Sequence, residues 1–308
     1  ELTRDGDVME IGGALYDNPG MDMLALLRGT EAMMGIVTQV TVALLPEPEK
    51  KSVILAGLKQ VTDAGNAVAS IMGAGIIPAG MEMMDKLAVE AAEQFAHAGY
   101  PLDAAAILII ELDGAEAELS AVTAQVIDHL NASGAYQIDQ ADDAETQARL
   151  WKGRKSAFPA VGRLSPDYIC MDGTIPRSQL SFVLNEIYRL SEQYALPVAN
   201  VFHAGDGNLH PLIMFDASDP TAIHRAEAFG AKILELSVSV GGCITGEHGV
   251  GVEKLSQMDS QFSTQELLQF EDIKHAFDPA LNLNPGKGIP ILKRCQEYRA
   301  LPARHQHD

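Results

Sequence analysis

Cysteine is scarce. The 308 residues hold only Cys170, Cys243 and Cys295, widely separated and with no CxxC pair. This argues against a disulfide scaffold and a cysteine zinc site, and makes a reducing compartment the default. Basic residues are few as well: 22 Lys and Arg stand against 42 Asp and Glu, a net charge of −20. Affinity for a phosphate backbone comes mostly from Lys and Arg, so no nucleic-acid partner is expected. No apolar run reaches the roughly 18 residues that span a bilayer. A signal-peptide pattern, a nicotinamide-binding fingerprint, a HExxH helix and a short-period repeat are all missing. The start, Glu1-Leu-Thr-Arg-Asp-Gly-Asp7, carries no initiator Met and reads as opening partway into a strand, so a fragment of a longer protein is expected. What is present is ordinary globular composition, 47% apolar and 21% charged, at a length sufficient for two domains.

Periodicity and punctuation predict an α+β chain. A short strand at 8–11 and a helix at 21–28 precede a β-branched stretch, 35–45, that reads as a strand and ends at Pro46-Glu-Pro48. A boundary is placed at 46–51. Strands follow at 52–57, 105–114, 168–172, 197–202 and 209–215; helices at 61–72, 87–98, 115–133, 144–158, 176–194 and 219–240. The alternation suggests a mixed sheet with helices on one face. Ser263 and Glu266 form a capping box for a helix running to about Phe277. The last ten residues read as a loose terminus.

The chemistry concentrates in His203-Ala-Gly-Asp-Gly-Asn-Leu-His210 and in Gly246-Glu-His-Gly-Val-Gly251. On one strand His203 and His210 would face opposite ways, but a tight turn at Gly205-Asp-Gly-Asn208 puts them on adjacent strands, where they converge. With Glu247 they offer two imidazoles and a carboxylate, a divalent-cation set open to a substrate. Such donors suit Zn, Mn or Fe without choosing among them. His248, beside Glu247, is placed as a general base or as a hydrogen-bonded structural histidine. Asp206 and Asn208 either orient the histidines or only shape the turn. Arg154, on a helix with Lys152 and Lys155, reads from composition as a solvated cation.

Together these stretches, followed by Asn284-Pro-Gly-Lys287, resemble the C-terminal signature order of the FAD-linked D-2-hydroxyacid dehydrogenases, flavoproteins of the vanillyl-alcohol-oxidase type. The chain resembles the FAD-bearing subunit of bacterial glycolate oxidase and D-lactate dehydrogenase, their C-terminal portion only. The resemblance implies that 1–50 ends an FAD-binding domain, 51–275 forms a substrate or cap domain with an antiparallel sheet covered by helices, and 276–308 returns to the FAD-binding domain. It implies FAD and a divalent metal (Zn, Mn or Fe) as cofactors, and oxidation of a small D-2-hydroxy acid, D-lactate or glycolate, to the 2-oxo acid. His203, His210 and Glu247 are the implied metal ligands. His248 is the implied base that takes the hydroxyl proton while hydride passes to the flavin, and Arg154 the implied anchor of the substrate carboxylate. Gly29, Thr30, Glu31, Asn284 and Lys287 are the implied FAD contacts.

Two features depart from the family pattern. Ala32 stands where glycine is usual, and the strand after the arginine helix lacks a substrate-binding Lys, which favours a small substrate over a dicarboxylate. The glycine-rich pyrophosphate loop of the family's N-terminal half is not in the sequence. Electrons would leave to a quinone, a cytochrome or an iron–sulfur subunit, in a homodimer or an oxidase complex, in the cytoplasm or at the inner face of a membrane through a partner. The alternative is a flavin-free fragment serving as a folding or assembly module of a larger oxidase complex.

Overall fold

The computed structural model describes residues 1–13 and 20–290; Cys295 and the tail beyond 290 lie outside them. The chain divides into two compact units, Leu45–Glu247, and Glu1–Leu44 with His248–Asp308. The second division falls earlier than the expected 275. Lys274, in the helix Thr264–Phe277, donates from Nζ to the Met33 and Leu283 carbonyls and to Asp278 Oδ2, at 2.6 Å each. These bonds tie that helix to the early residues of its own unit.

Unit Leu45–Glu247 is built on strands β1 (Lys50–Leu58), β2 (Gly80–Asp85), β3 (Ala106–Gly114), β4 (Ala135–Ala141), β5 (Asp167–Cys170), β6 (Gly173–Thr174), β7 (Val198–Phe202), β8 (Asn208–Leu209) and β9 (Pro211–Phe215). Seven of them form one sheet in the order β4-β1-β3-β2-β7-β9-β5, and β6 pairs with β8. Every pairing is antiparallel, which corrects the expected mixed sheet to the antiparallel one.

Helices cover both faces, not one. Val53, Leu55, Ile107 and Ile109 pack with the alanines of the helix Lys86–Ala96 and with Ala157, Ala160 and Val161. Their strand neighbours Ile54, Leu108 and Ile110 point the other way and are just as buried. Both faces therefore exclude water, each such side chain contributing about 1.5–3 kcal/mol by burial. The expected helix at 144–158 is two, Ala144–Lys155 and Ala157–Val161, joined at Ser156.

The other unit holds the short helix Met23–Leu27 and the helix Thr264–Phe277, whose capping box at Ser263 and Glu266 forms as expected. The strands expected at 8–11 and 35–45 do not form there beyond the bridges Leu2↔Val8 and Leu2↔Ile36. Val37, Val40, Val42 and Leu44 are exposed. Among the described residues no helix is long and apolar enough to cross a membrane.

Candidate metal centre

The hairpin between β7 and β9 brings the two imidazoles together. His203 and Asn208 exchange backbone hydrogen bonds across the turn, so His210 lies on the returning chain beside His203, with ring centroids 5.2 Å apart. The turn depends on Gly207, at φ +77°, where a Cβ would collide with the Ile175 carbonyl. Gly205 N donates to Met81 O at 3.0 Å, which pins the turn to β2, and Arg177 Nη1 donates to Gly205 O at 3.1 Å. Asp206 is exposed and serves the turn through its backbone N–H. Asn208 is buried with its Oδ1 unpartnered, and Gly246 must lack a Cβ to pass that oxygen.

The loop carrying Glu247 is held by Asp172, the last residue of the strand expected at 168–172 and given no role there. Asp172 accepts from Thr245 Oγ1 at 2.8 Å, from Gly246 N at 3.1 Å and from Glu247 N at 3.1 Å. Glu247 Oε1 then lies 2.8 Å from His210 Nε2 and 3.4 Å from His203 Nε2. Asp172, His210 and Glu247 each offer a ligand atom within 4.8 Å of the others.

The second nitrogens settle the tautomers. His210 Nδ1 faces the Met171 carbonyl at 3.2 Å, and His203 Nδ1 faces Glu82 Oε1 at 2.9 Å. A carbonyl and a carboxylate only accept, so both Nδ1 atoms carry hydrogen and both neutral rings turn an Nε2 lone pair toward Glu247. Burial lowers the pKa of His210, against its bonds to Glu247 and Met171. The hydrogen bond to Glu82 raises that of His203, against burial. Two Nε2 atoms thus converge on a carboxylate oxygen, with Asn208 Nδ2 also 3.5 Å from His210 Nε2; imidazole nitrogens and a carboxylate are the donor types a divalent cation takes. The residues fit a divalent metal.

Glu82, on β2, was missed from sequence. Its Oε2 accepts from Arg154 Nε at 3.0 Å and lies 2.7 Å from Arg154 Nη2. Arg154 is buried, which corrects its reading as a solvated cation. Nη2 is close enough to pair in charge, but its hydrogens point off the oxygen and remain unsatisfied. A cavity of about 790 Å³, lined in part by Trp151, Lys152 and Lys155, reaches Glu82 but none of the imidazoles.

The remaining expected site residues lie in the other unit. His248 follows Glu247 directly and is exposed. Gly29, at φ +81°, has open space where a Cβ would stand, room for close approach of a ligand. Glu31 and Ala32 both take positive φ, 52° and 58°, so the alanine occupies a left-handed position suited to glycine. The Thr30 hydroxyl donates to Leu27 O. The Glu31 carboxylate accepts from Val250 N and Gly251 N, and Asn284 Nδ2 donates to the Glu31 carbonyl. Those side chains shape the loop, and the exposed Lys287 and the Gly29 backbone stay available to a cofactor.

This fold and this signature define a class: the chain belongs to the FAD-linked oxidases, residues 47–288 matching the family described as "FAD linked oxidases, C-terminal domain". It is 55% identical over 305 residues to the glycolate oxidase subunit GlcD of Escherichia coli (strain K12), covering 99% of this chain and 61% of that protein. It is 35% identical over 287 residues to the subunit of the same name from Bacillus subtilis (strain 168), covering 93% and 61%. It is 30% identical over 295 residues to the mitochondrial D-lactate dehydrogenase (cytochrome) of Arabidopsis thaliana, covering 94% and 51%. The chain therefore spans about 61% of the length of the first two relatives. Among solved structures, p-cresol methylhydroxylase with substrate bound matches at a TM-score of 0.73 and 16% identity, over 96% of this chain and 65% of that one, which shows the fold alone.

Proposed function

We propose that this chain serves the FAD-dependent oxidation of a small D-2-hydroxy acid, D-lactate or glycolate, to the 2-oxo acid, assisted by a divalent metal held by His203, His210 and Glu247. The observation that carries the reading is the convergence of both Nε2 lone pairs on Glu247 Oε1, at 2.8 and 3.4 Å. Identity of 55% to a glycolate oxidase subunit supports the substrate class. A divalent cation bound there supplies Lewis acidity to the substrate hydroxyl. FAD, when bound, supplies the acceptor for the two electrons and the hydrogen leaving the carbinol carbon.

The chain's own residues do the rest. Arg154 offers its unsatisfied Nη2 to the substrate carboxylate and fixes its orientation. His248, the exposed imidazole next to Glu247, takes the hydroxyl proton. The backbone at Gly29, Thr30 and Glu31, with Asn284 and Lys287, contributes to holding FAD, and two electrons then pass to a quinone, cytochrome or iron–sulfur partner. The test is anaerobic mixing of the full-length flavoprotein with candidate acids. D-Lactate or glycolate should bleach the flavin, with L-lactate and D-2-hydroxyglutarate much slower. Bleaching by none of the four acids refutes the reading.

A second reading, an assembly role, is favoured by the exposed Val37, Val40, Val42 and Leu44, which follow the bridge at Ile36 and join no strand ladder among the described residues. Such a stretch offers apolar side chains and free backbone groups to another strand. A full-length product that binds its complex but never flavin would support that role.

A further inference from the structure

Glu82 links two groups to which the proposed function gives different tasks. Its carboxylate is divided between them. Oε1 takes the Nδ1 hydrogen of His203 at 2.9 Å, and Oε2 takes Arg154 Nε at 3.0 Å with Nη2 at 2.7 Å. The side chain is about nine-tenths buried, on a strand where five of the six residues are buried, Glu82 among them, so it has little freedom to serve one partner without the other. We propose that Glu82 is the positioning residue of the centre: one carboxylate sets the tautomer and aim of the metal-binding His203 and also fixes the guanidinium of Arg154 for a 2-hydroxy-acid carboxylate.

The chemistry of each half is definite. An acceptor at Nδ1 keeps the hydrogen there and leaves Nε2 as the donor to a cation. Occupation of Nε by Glu82 leaves the buried Nη2 without an acceptor, and the Nη1/Nη2 end of a guanidinium is a fork whose geometry grips a second carboxylate. Moving Glu82 would disturb both at once, whereas a buried ion pair kept only for stability would disturb neither metal nor substrate in the molecules that remain folded. This inference rests on the reading of His203 as a ligand and of Arg154 as the carboxylate anchor.

The experiment uses full-length protein stripped of metal, with wild type, Glu82→Gln and Glu82→Asp compared. Zn²⁺ alone is titrated against a chelating dye, and KM and kcat for D-lactate and glycolate are measured on the reloaded enzyme. Glu82→Gln removes the charge and keeps the shape. Its Zn²⁺ affinity is expected to fall about 10- to 100-fold, with KM rising more than kcat falls. Glu82→Asp keeps the charge and should recover part of both. Unchanged Zn²⁺ affinity and KM in Glu82→Gln overturn the inference while leaving the proposed function standing. A wild type that binds no Zn²⁺ at these residues overturns both. If Glu82→Gln does not fold, Glu82→Asp decides: a folded variant with wild-type affinity and KM overturns the inference, and a weakened one supports it.

Discussion

At the scale of single residues, the centre depends on which atom of each side chain is already engaged. His203 and His210 could be named from sequence because they flank a glycine turn. That both present Nε2 was not legible, since it follows from Met171 O and Glu82, groups distant in the chain. Arg154 shows the same limit: a helix carrying Lys152 and Lys155 looks solvated until β2 places Glu82 against it. Lysine cannot reproduce the fork. Arg154→Lys should therefore raise KM for the 2-hydroxy acid by about tenfold or more, roughly 1.4 kcal/mol, with a smaller change in kcat; steady-state kinetics on the full-length enzyme read this directly. Gly207→Ala tests the turn. A Cβ at φ +77° would be strained and would meet Ile175 O, so urea unfolding should show a loss of about 1–3 kcal/mol.

At the scale of elements, strands with β-branched runs were legible. The expected 105–114 is β3 to within one residue, and the expected 52–57 is the middle of β1, which starts two residues earlier and ends one later. β2, Gly-Met-Glu-Met-Met-Asp, was not, because it is buried on both faces, shows no alternation and is rich in flexible methionine instead of valine or isoleucine. Missing β2 meant missing Glu82. β4 escaped for a different reason: it is an edge strand whose Tyr-Gln-Ile-Asp-Gln reads as polar loop. The 35–45 stretch has strand composition but no partner ladder among the described residues, so local preference alone did not make it a strand.

Two loops carry further predictions. Asp172→Ala removes the acceptor for Thr245, Gly246 and Glu247, and should weaken Zn²⁺ binding in a dye-competition titration although Glu247 itself is intact. Asp278, at the end of the helix Thr264–Phe277, is buried, which favours the neutral acid. Lys274 and the N–H groups of Leu283 and Asn282 outweigh this and hold its pKa at about 2. A depressed carboxylate stabilises above its unfolded value, near 3.9, and that contribution is lost as pH falls through about 2. Thermal melts should show the loss below about pH 4, and Asp278→Asn should flatten it.

At the scale of the whole molecule, the sequence supports a class of chemistry and the structure supports a place for it. The signature order held the ligand candidates, and antiparallel pairing of β7 and β9 brought two of them to one carboxylate. The family match over 47–288 accounts for the sheet and its helices. The net charge of −20 is no obstacle to a small anionic substrate when a buried guanidinium and a bound cation lie at the site, because local groups dominate over screened distant ones. The central claim is that hydroxy-acid oxidation depends on a cation held by His203, His210 and Glu247. Its most direct test is turnover of D-lactate and glycolate by full-length wild type and His210→Ala, each assayed after chelator stripping and again after metal is restored, with bound metal measured by elemental analysis. Wild type should hold about one divalent ion per chain, fall silent when stripped and recover when reloaded, while His210→Ala holds none and stays silent. Full turnover by stripped wild type, or by His210→Ala without metal, would contradict the account.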